Sequence, residues 1–363
     1  MSVNERLARA QQAVAAAGLD ALLITPGPDL RYLTGYDAPA MERLTCLVLP
    51  TEATPTLVVP RLERPAAEAS GIGAAVEIHD WPETADPVQL VAGLLPGARR
   101  VALADQMWAE KVLRFRAAMP STEQVLAGAL LSELRMRKST AEVAALRDAG
   151  AAIDRVHARM AEWLRPGRTE REVGRDIATA ITAEGHAEVG FVIVASGPNG
   201  ASSHHGASER VIQPGDPVVV DIGGMMPDGY WSDETRTYVV GEPVAEFVKA
   251  YDALLQAQLA ACDHAGPGVT AESVDAAARE VLTGAGLGEY FVHRTGHGIG
   301  LEIHEEPYIV EGNTTVLEPG MAFSVEPGFY IPGWYGARIE DIVVVTPDGA
   351  ERLNQRPRDL AVL

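Results

Sequence analysis

Apolar residues recur at helical spacing at the start of the chain. Leu7, Ala10, Val14 and Ala17 fall on one stripe of a helix expected over residues 4–17, which Gly18 can stop. The period then changes. Residues 21–25 form a short continuous apolar run of the buried-strand kind, followed by Pro26-Gly27-Pro28. Residues 46–50 and 55–60 read as two strands joined by a polar turn, and 74–78 and 100–104 as two more, with helical stretches such as 87–95 between them. Strands alternating with helices predict an α/β domain over residues 1–125. No glycine-rich phosphate loop follows its first strand, which argues against a nucleotide site there.

Residues 126–165 are rich in Ala, Leu, Arg and Glu and predict a helical linker, as one long helix or two shorter ones, broken by Pro166-Gly167. Ser139 with Glu142, and Thr169 with Glu172, have the spacing of capping boxes and mark helix starts. From about residue 190 the pattern favours strands: 191–195, 218–222, 235–240, 321–325 and 337–345. Two helices, 244–264 and 271–285, lie among them. Residues 166–363 are therefore expected to form an α+β domain with a mainly antiparallel sheet.

Composition narrows the function classes. The chain carries 30 basic and 50 acidic residues, a net charge of −20, which argues against nucleic acid or an anionic membrane as partner. Its two cysteines, Cys46 and Cys262, are far apart, so neither a disulfide framework nor a thiolate metal site is expected. The first residues lack the basic start and apolar core of a signal peptide, and no run of about 18 apolar residues exists. A cytoplasmic protein is expected.

The candidate chemistry lies in the second half. Val218–Arg236 reads VVVDIGGMMPDGYWSDETR and places Asp221 and Asp233 twelve residues apart, beside two apolar runs. If those runs pair, both carboxylates can face one spot, and a cation between them would relieve their repulsion. Further on come His297 between two glycines, Glu326 before Pro-Gly, and Arg338-Ile-Glu340. Side chains two apart in a strand share a face, so Arg338 pairs with Glu340 and Ser324 with Glu326, away from their apolar neighbours. Singly, each has an ordinary explanation as a turn, a cap or a surface ion pair. Jointly, four acids in apolar strands exceed what nearby arginines can neutralise. Four carboxylates with one imidazole suit a hard or borderline divalent ion, and the donor count fits two ions with open positions.

These stretches resemble the motifs of the Xaa-Pro peptidases, prolidase and aminopeptidase P, in the superfamily with methionine aminopeptidase and creatinase. The similarity rests on VVDIGG…SDETRT, RTGHGIGLEIHEEP, VEPGFY and ARIED, with a weaker likeness in GLDALLIT…RYLTGY. It implies a pita-bread catalytic domain after a smaller creatinase-like α/β domain. It implies two divalent ions, Mn²⁺ first with Co²⁺, Fe²⁺ or Zn²⁺ as alternatives. Asp221 would hold one ion, His297 and Glu326 the other, and Asp233 and Glu340 would bridge both. Glu326 would also shuttle the proton. The resemblance assigns His205 and His304 to the reacting groups and Arg338 to orienting a carboxylate. It implies a homodimer acting on proline-containing di- or oligopeptides.

The match departs from the family in two places. Several prolidases have an arginine four residues after the equivalent of His304, to hold a dipeptide's carboxylate. This chain has Tyr308 there, which favours longer Xaa-Pro peptides unless another basic residue takes the part. The aspartate spacing is one residue longer, which implies a looser hairpin over 225–229. His293, Tyr230, Trp231 and Tyr335 read as packing or pocket walls. Competing readings are a metal-dependent lyase, a creatinase-like amidinohydrolase and a non-catalytic binding module; the intact donor set speaks against the last two.

Overall fold

The structure, a computed structural model, describes residues 1–363 and divides into two compact units, Met1–Arg135 and Met136–Leu363. The first unit holds a mixed six-stranded sheet: β1 (Ala21–Ile24), β2 (Cys46–Pro50), β3 (Thr56–Pro60), β4 (Glu77–Trp81), β5 (Arg100–Leu103) and β6 (Glu123–Leu126), in the order β4-β3-β2-β1-β5-β6. β1, β2 and β3 pair antiparallel, and β4, β5 and β6 join in parallel. The opening helix, Val3–Ala16, starts at a capping box of Ser2 and Glu5 and buries Leu7, Ala10 and Val14 of the expected stripe, while Ala17 is its exposed C-cap.

Three expectations shift. The strand placed at 74–78 lies at Glu77–Trp81, because Gly71 turns the chain with φ +80° into a short 3₁₀ turn at Ile72–Ala74, and pairing with β3 begins only at Glu77. The helical linker expected over 126–165 is not a separate piece. Glu123–Leu126 is drawn into the sheet by parallel pairing with β5, and helix Gly128–Met136 follows in the first unit. The boundary near residue 125 thus moves to Arg135/Met136, and helices Thr140–His157 and Met160–Trp163 belong to the second unit.

The second unit contains β7 (Glu188–Ser196), β8 (Pro217–Met225), β9 (Trp231–Val239), β10 (Gly296–Gly298), β11 (Glu305–Ile309), β12 (Ala322–Val325), β13 (Gly328–Ile331), β14 (Tyr335–Arg338), β15 (Asp341–Thr346), β16 (Gly349–Arg352) and β17 (Ala361–Val362). They form a four-stranded sheet β17-β9-β8-β7, a five-stranded sheet β11-β10-β12-β15-β16 and a hairpin β13-β14. Apart from the short parallel β17–β9 pair, all of these pairings are antiparallel. Helices Thr140–His157 and Glu170–Ala183 pack Ile153, Val156, Val173 and Ile177 onto the first sheet. Helices Ala245–His264 and Ala271–Gly284 pack Phe247, Leu254, Val274 and Leu282 against the second.

The single strand expected over 337–345 is two strands. β14 pairs with β13 and β15 with β12, and the chain crosses between them at Ile339-Glu340. The Glu340 amide donates to the Thr235 carbonyl of β9 (3.1 Å) at that crossing. Three β-elements thus meet at one residue.

Phe247 anchors the second core, fully buried, with its ring edge-on to Tyr335 at 5.1 Å. Phe247→Ala is expected to lower unfolding stability by about 3–5 kcal/mol, read as a reduced urea midpoint at unchanged slope.

Candidate metal centre

In the β8–β9 hairpin Asp221 pairs with Thr235, and Gly223 with Asp233. Residues 233 and 235 share a face of β9, so Asp221 and Asp233 are diagonal neighbours on one side of the sheet. β9 begins at Trp231, earlier than its apolar run, and places Asp233 inside the strand. The hairpin turn over residues 226–230 is closed by its own hydrogen bonds. Met226 donates to the Tyr230 carbonyl (2.8 Å), Gly229 donates to Met226 (2.8 Å), and Gly229 takes φ +93°.

His297 occupies the middle of β10, squeezed between β11 and β12. A Cβ on Gly296 would stand 1.8 Å from the Ser324 carbonyl oxygen, and one on Gly298 2.3 Å from that of Glu306. Both glycines are required by this close approach. The His297 Nδ1 lies 3.1 Å from the Gly298 carbonyl, which assigns a proton to Nδ1 and turns Nε2 toward the floor. Nε2 faces Glu326 Oε1 at 3.2 Å and Asp233 Oδ2 at 3.6 Å. Donor atoms of Asp233, His297 and Glu340 lie within 4.8 Å of one another. With Asp221 and Glu326 they line one cavity of about 550 Å³.

Two oxygens in this floor have no hydrogen-bond partner, Asp221 Oδ1 and Glu340 Oε1, although both are buried. The other oxygen of each is held. Arg338 donates to Asp221 Oδ2, and Thr235 Oγ1 donates to Glu340 Oε2 at 2.7 Å. Arg338 is itself fixed by Thr235 Oγ1 (3.0 Å), the Tyr330 hydroxyl (2.7 Å) and the Ser203 carbonyl (3.3 Å).

Without a cation the floor resists ionisation. Burial, then the charges of Asp221 and Glu326, push Asp233 well above the usual carboxylate range. Burial, then Asp233, Glu326 and Asp221, do the same to Glu340. Burial raises Asp221 against the opposing pull of Arg338. Burial also acts on Glu326, but the hydrogen bond and charge of His297, followed by His293 and Arg338, outweigh it and hold Glu326 at about 2. Three strained acids, two orphaned oxygens and an open imidazole nitrogen form a donor set that suits hard or borderline divalent ions.

The cavity wall holds His304, whose ring centroid is 4.0 Å from that of His297. Burial, then His297 and Arg294, lower its pKa to about 4, so it is neutral at pH 7. His205, expected here, is not on this wall. Its Nε2 is 3.0 Å from Glu170 Oε2, and His204 lines the cavity instead. The reason is tertiary: Glu170 is fully buried and gathers the following loop. It accepts from the Ser196 amide and hydroxyl (2.8 and 2.7 Å), from Asn199, and from the Ser208 amide and hydroxyl (3.1 and 2.6 Å). With His205 tied to this carboxylate, the adjacent side chain is the one that turns inward. Tyr308 also stands off the lining. Its ring lies beneath Arg294, which does line the cavity.

His293, expected as packing or a pocket wall, lines the cavity and contacts the Tyr330 hydroxyl at 2.9 Å. Thr235 was legible as the alternate residue on Asp233's face. Glu170 carried no signal, since a glutamate in a helix's first turn is ordinary.

Residues 144–347 match metallopeptidase family M24, and residues 6–137 match the creatinase/prolidase N-terminal domain. The chain is 56% identical over 360 residues to a probable dipeptidase PepE of Mycobacterium tuberculosis, covering 99% of this chain and 96% of that protein. It is 36% identical to an Xaa-Pro dipeptidase of Lactobacillus helveticus, over 98% of each. The crystal structure of dipeptidase PepE from Mycobacterium ulcerans superposes with a TM-score of 0.95 at 56% identity, covering 99% of this chain and 97% of that one.

Burial alone would raise Glu170, but the hydrogen bonds from Ser208, Ser196 and Asn199 bring it down from 4.5 to about 2. A depressed carboxylate stabilises the fold above its unfolded value and loses that contribution as pH falls through the folded one. Glu170→Gln is therefore expected to be less stable than the parent by about 1–3 kcal/mol at pH 7, with the difference shrinking below about pH 4.5. Urea titrations of both proteins from pH 7 to 3 measure it; a constant difference would contradict the charge argument.

Proposed function

The chain belongs to metallopeptidase family M24, and on that premise we propose that it is a metal-dependent Xaa-Pro peptidase, cleaving the bond between an N-terminal residue and proline. The observation that carries the metal reading is the pair of buried, partnerless oxygens, Asp221 Oδ1 and Glu340 Oε1, in a floor of four carboxylates and one imidazole. The substrate class rests on likeness to relatives named dipeptidase and Xaa-Pro dipeptidase.

In this reading Asp221, Asp233, His297, Glu326 and Glu340 would together hold two divalent ions. Mn²⁺ is the first choice, with Co²⁺, Fe²⁺ and Zn²⁺ compatible with the same donors. When bound, the two ions supply Lewis acidity toward the scissile carbonyl and a water of lowered pKa. Arg338, itself held by Thr235, Tyr330 and Ser203, keeps Asp221 aimed at the floor. Glu326 is ionised at neutral pH and stands beside His297, so it can take the proton of the attacking water and pass it to the departing proline nitrogen. His304 and His204 line the cavity and would stabilise the negative charge that develops on the carbonyl oxygen, His204 taking the part first expected of His205. A cavity of about 550 Å³ holds a small peptide and not a folded protein.

No helix is long and apolar enough to cross a membrane. A cytoplasmic location and a homodimer complete the proposal, on the acidic composition and the family resemblance.

Chelation is expected to remove activity on Ala-Pro and Ala-Pro-Ala, and Mn²⁺ to restore it. Asp233→Ala and Glu340→Ala should each lose at least about a thousandfold in turnover together with bound metal. Either variant keeping most of its turnover would refute the dinuclear site. His204→Ala should lower kcat by about a hundredfold at unchanged metal content, and His205→Ala by much less. Equal kcat losses would return the assignment to both histidines.

A further inference from the structure

The floor of the cavity is strongly acidic, and the cavity is lined by two arginines. Arg338 is consumed: its guanidinium is shared among Asp221, Thr235, Tyr330 and Ser203. Arg294 makes no side-chain hydrogen bond and no ion pair with any carboxylate of the chain. Its one recorded partner is the ring of Tyr308, with the guanidinium carbon 4.3 Å from the ring centroid. Stacking uses the flat face of a guanidinium, while its N–H groups lie in the plane and point outward from the edge. A stacked arginine therefore keeps its full bidentate capacity for a planar anion. It is also held in place, so less side-chain freedom is lost when that anion arrives.

The placement follows from the sheet. The Thr295 amide donates to the Ile309 carbonyl (3.0 Å) and Gly296 pairs with Ile309, so Arg294 enters β10 at the end of the seam where β11 runs past it, within reach of the Tyr308 ring. Arg294 lies three residues before His297, at most about 11 Å along the backbone. A dipeptide spans about 7 Å from end to end, so one bound at the carboxylate floor can bring its far end to a side chain as long as arginine.

Resting on the Xaa-Pro reading above, we propose that Arg294, braced on Tyr308, binds the free α-carboxylate of the substrate's proline and makes this chain selective for dipeptides. The tyrosine at position 308 is then the platform of a clamp supplied from the neighbouring strand. A peptide extended beyond proline carries a neutral amide at that point and gains no charge-assisted hydrogen bond from Arg294.

The test compares Mn²⁺-loaded wild type, Arg294→Ala and Arg294→Lys on Ala-Pro and on Ala-Pro-amide, which differ only in that carboxylate. Wild type is expected to prefer Ala-Pro. Arg294→Ala should lower kcat/KM for Ala-Pro by about 10- to 100-fold, chiefly through KM, and leave Ala-Pro-amide within about twofold. Arg294→Lys should fall between, since a point charge replaces a bidentate fork. A second readout needs no variant: free proline should inhibit wild type more strongly than prolinamide. Equal losses on both substrates, no loss on either, or equal inhibition by proline and prolinamide would each overturn the assignment of Arg294 alone. Failure of wild type to cleave either substrate would overturn the Xaa-Pro reading and this assignment with it.

Discussion

Four carboxylates share one buried floor with a single committed arginine, and that repulsion is the constraint on which the second unit is built. Like charges within a few ångströms in a buried site cannot all ionise unless a cation joins them. Asp233 and Glu340 are pushed far up for this reason, and Asp221 less so because Arg338 is bonded to it. Such an arrangement is unfavourable for the fold by itself. It persists because three separately stabilised β-elements hold it: the β8–β9 hairpin, the β10–β12 strands, and the crossing between β14 and β15.

The opposite side of β9 repeats the theme with a different solution. Glu234 and Arg236 alternate with Asp233 and Thr235 and face away from the cavity. Arg236 lies 3.1 Å from Glu234 and 2.8 Å from Asp341, and Arg358 also donates to Asp341. Here Arg236 and Arg358 hold Asp341, while Glu234, 3.1 Å from Arg236, is still pushed well above the usual carboxylate range by burial and its oxygens accept no hydrogen bond. One strand, SDETR, thus carries an ion-pair network on one face and a deficit of positive charge on the other. The functional face is distinguished by what is missing from it.

Positions near the site are set by indirect means. Glu170, far from the carboxylate floor in sequence, decides which of two adjacent histidines reaches the cavity by engaging the other. Tyr308 does not enter the cavity and instead supports Arg294. That His204 lines the cavity while His205 does not, and that Arg294 lines it while Tyr308 stands behind, have one origin in side-chain partners that come from other strands or helices.

The sequence by itself determined the two-part organisation, the class of most of the longer helices and strands, and the five residues, Asp221, Asp233, His297, Glu326 and Glu340, that line the cavity floor. Alternating polarity, capping residues and acids inside apolar runs are local signals, legible within a few residues. Asp221 and Asp233 could be placed on one face because strand pairing has a period of two. The rest depended on long-range contacts. The domain boundary moved because β6 pairs with β5, a bond no local propensity encodes. The strand over 337–345 broke because its two halves found different partners. The choice of His204, the orphaned oxygens and the stacking of Arg294 on Tyr308 exist only once residues more than ten positions apart come together. Hydrogen-bond partners and charge neutralisation are properties of that assembled neighbourhood, and only the tertiary structure decides them.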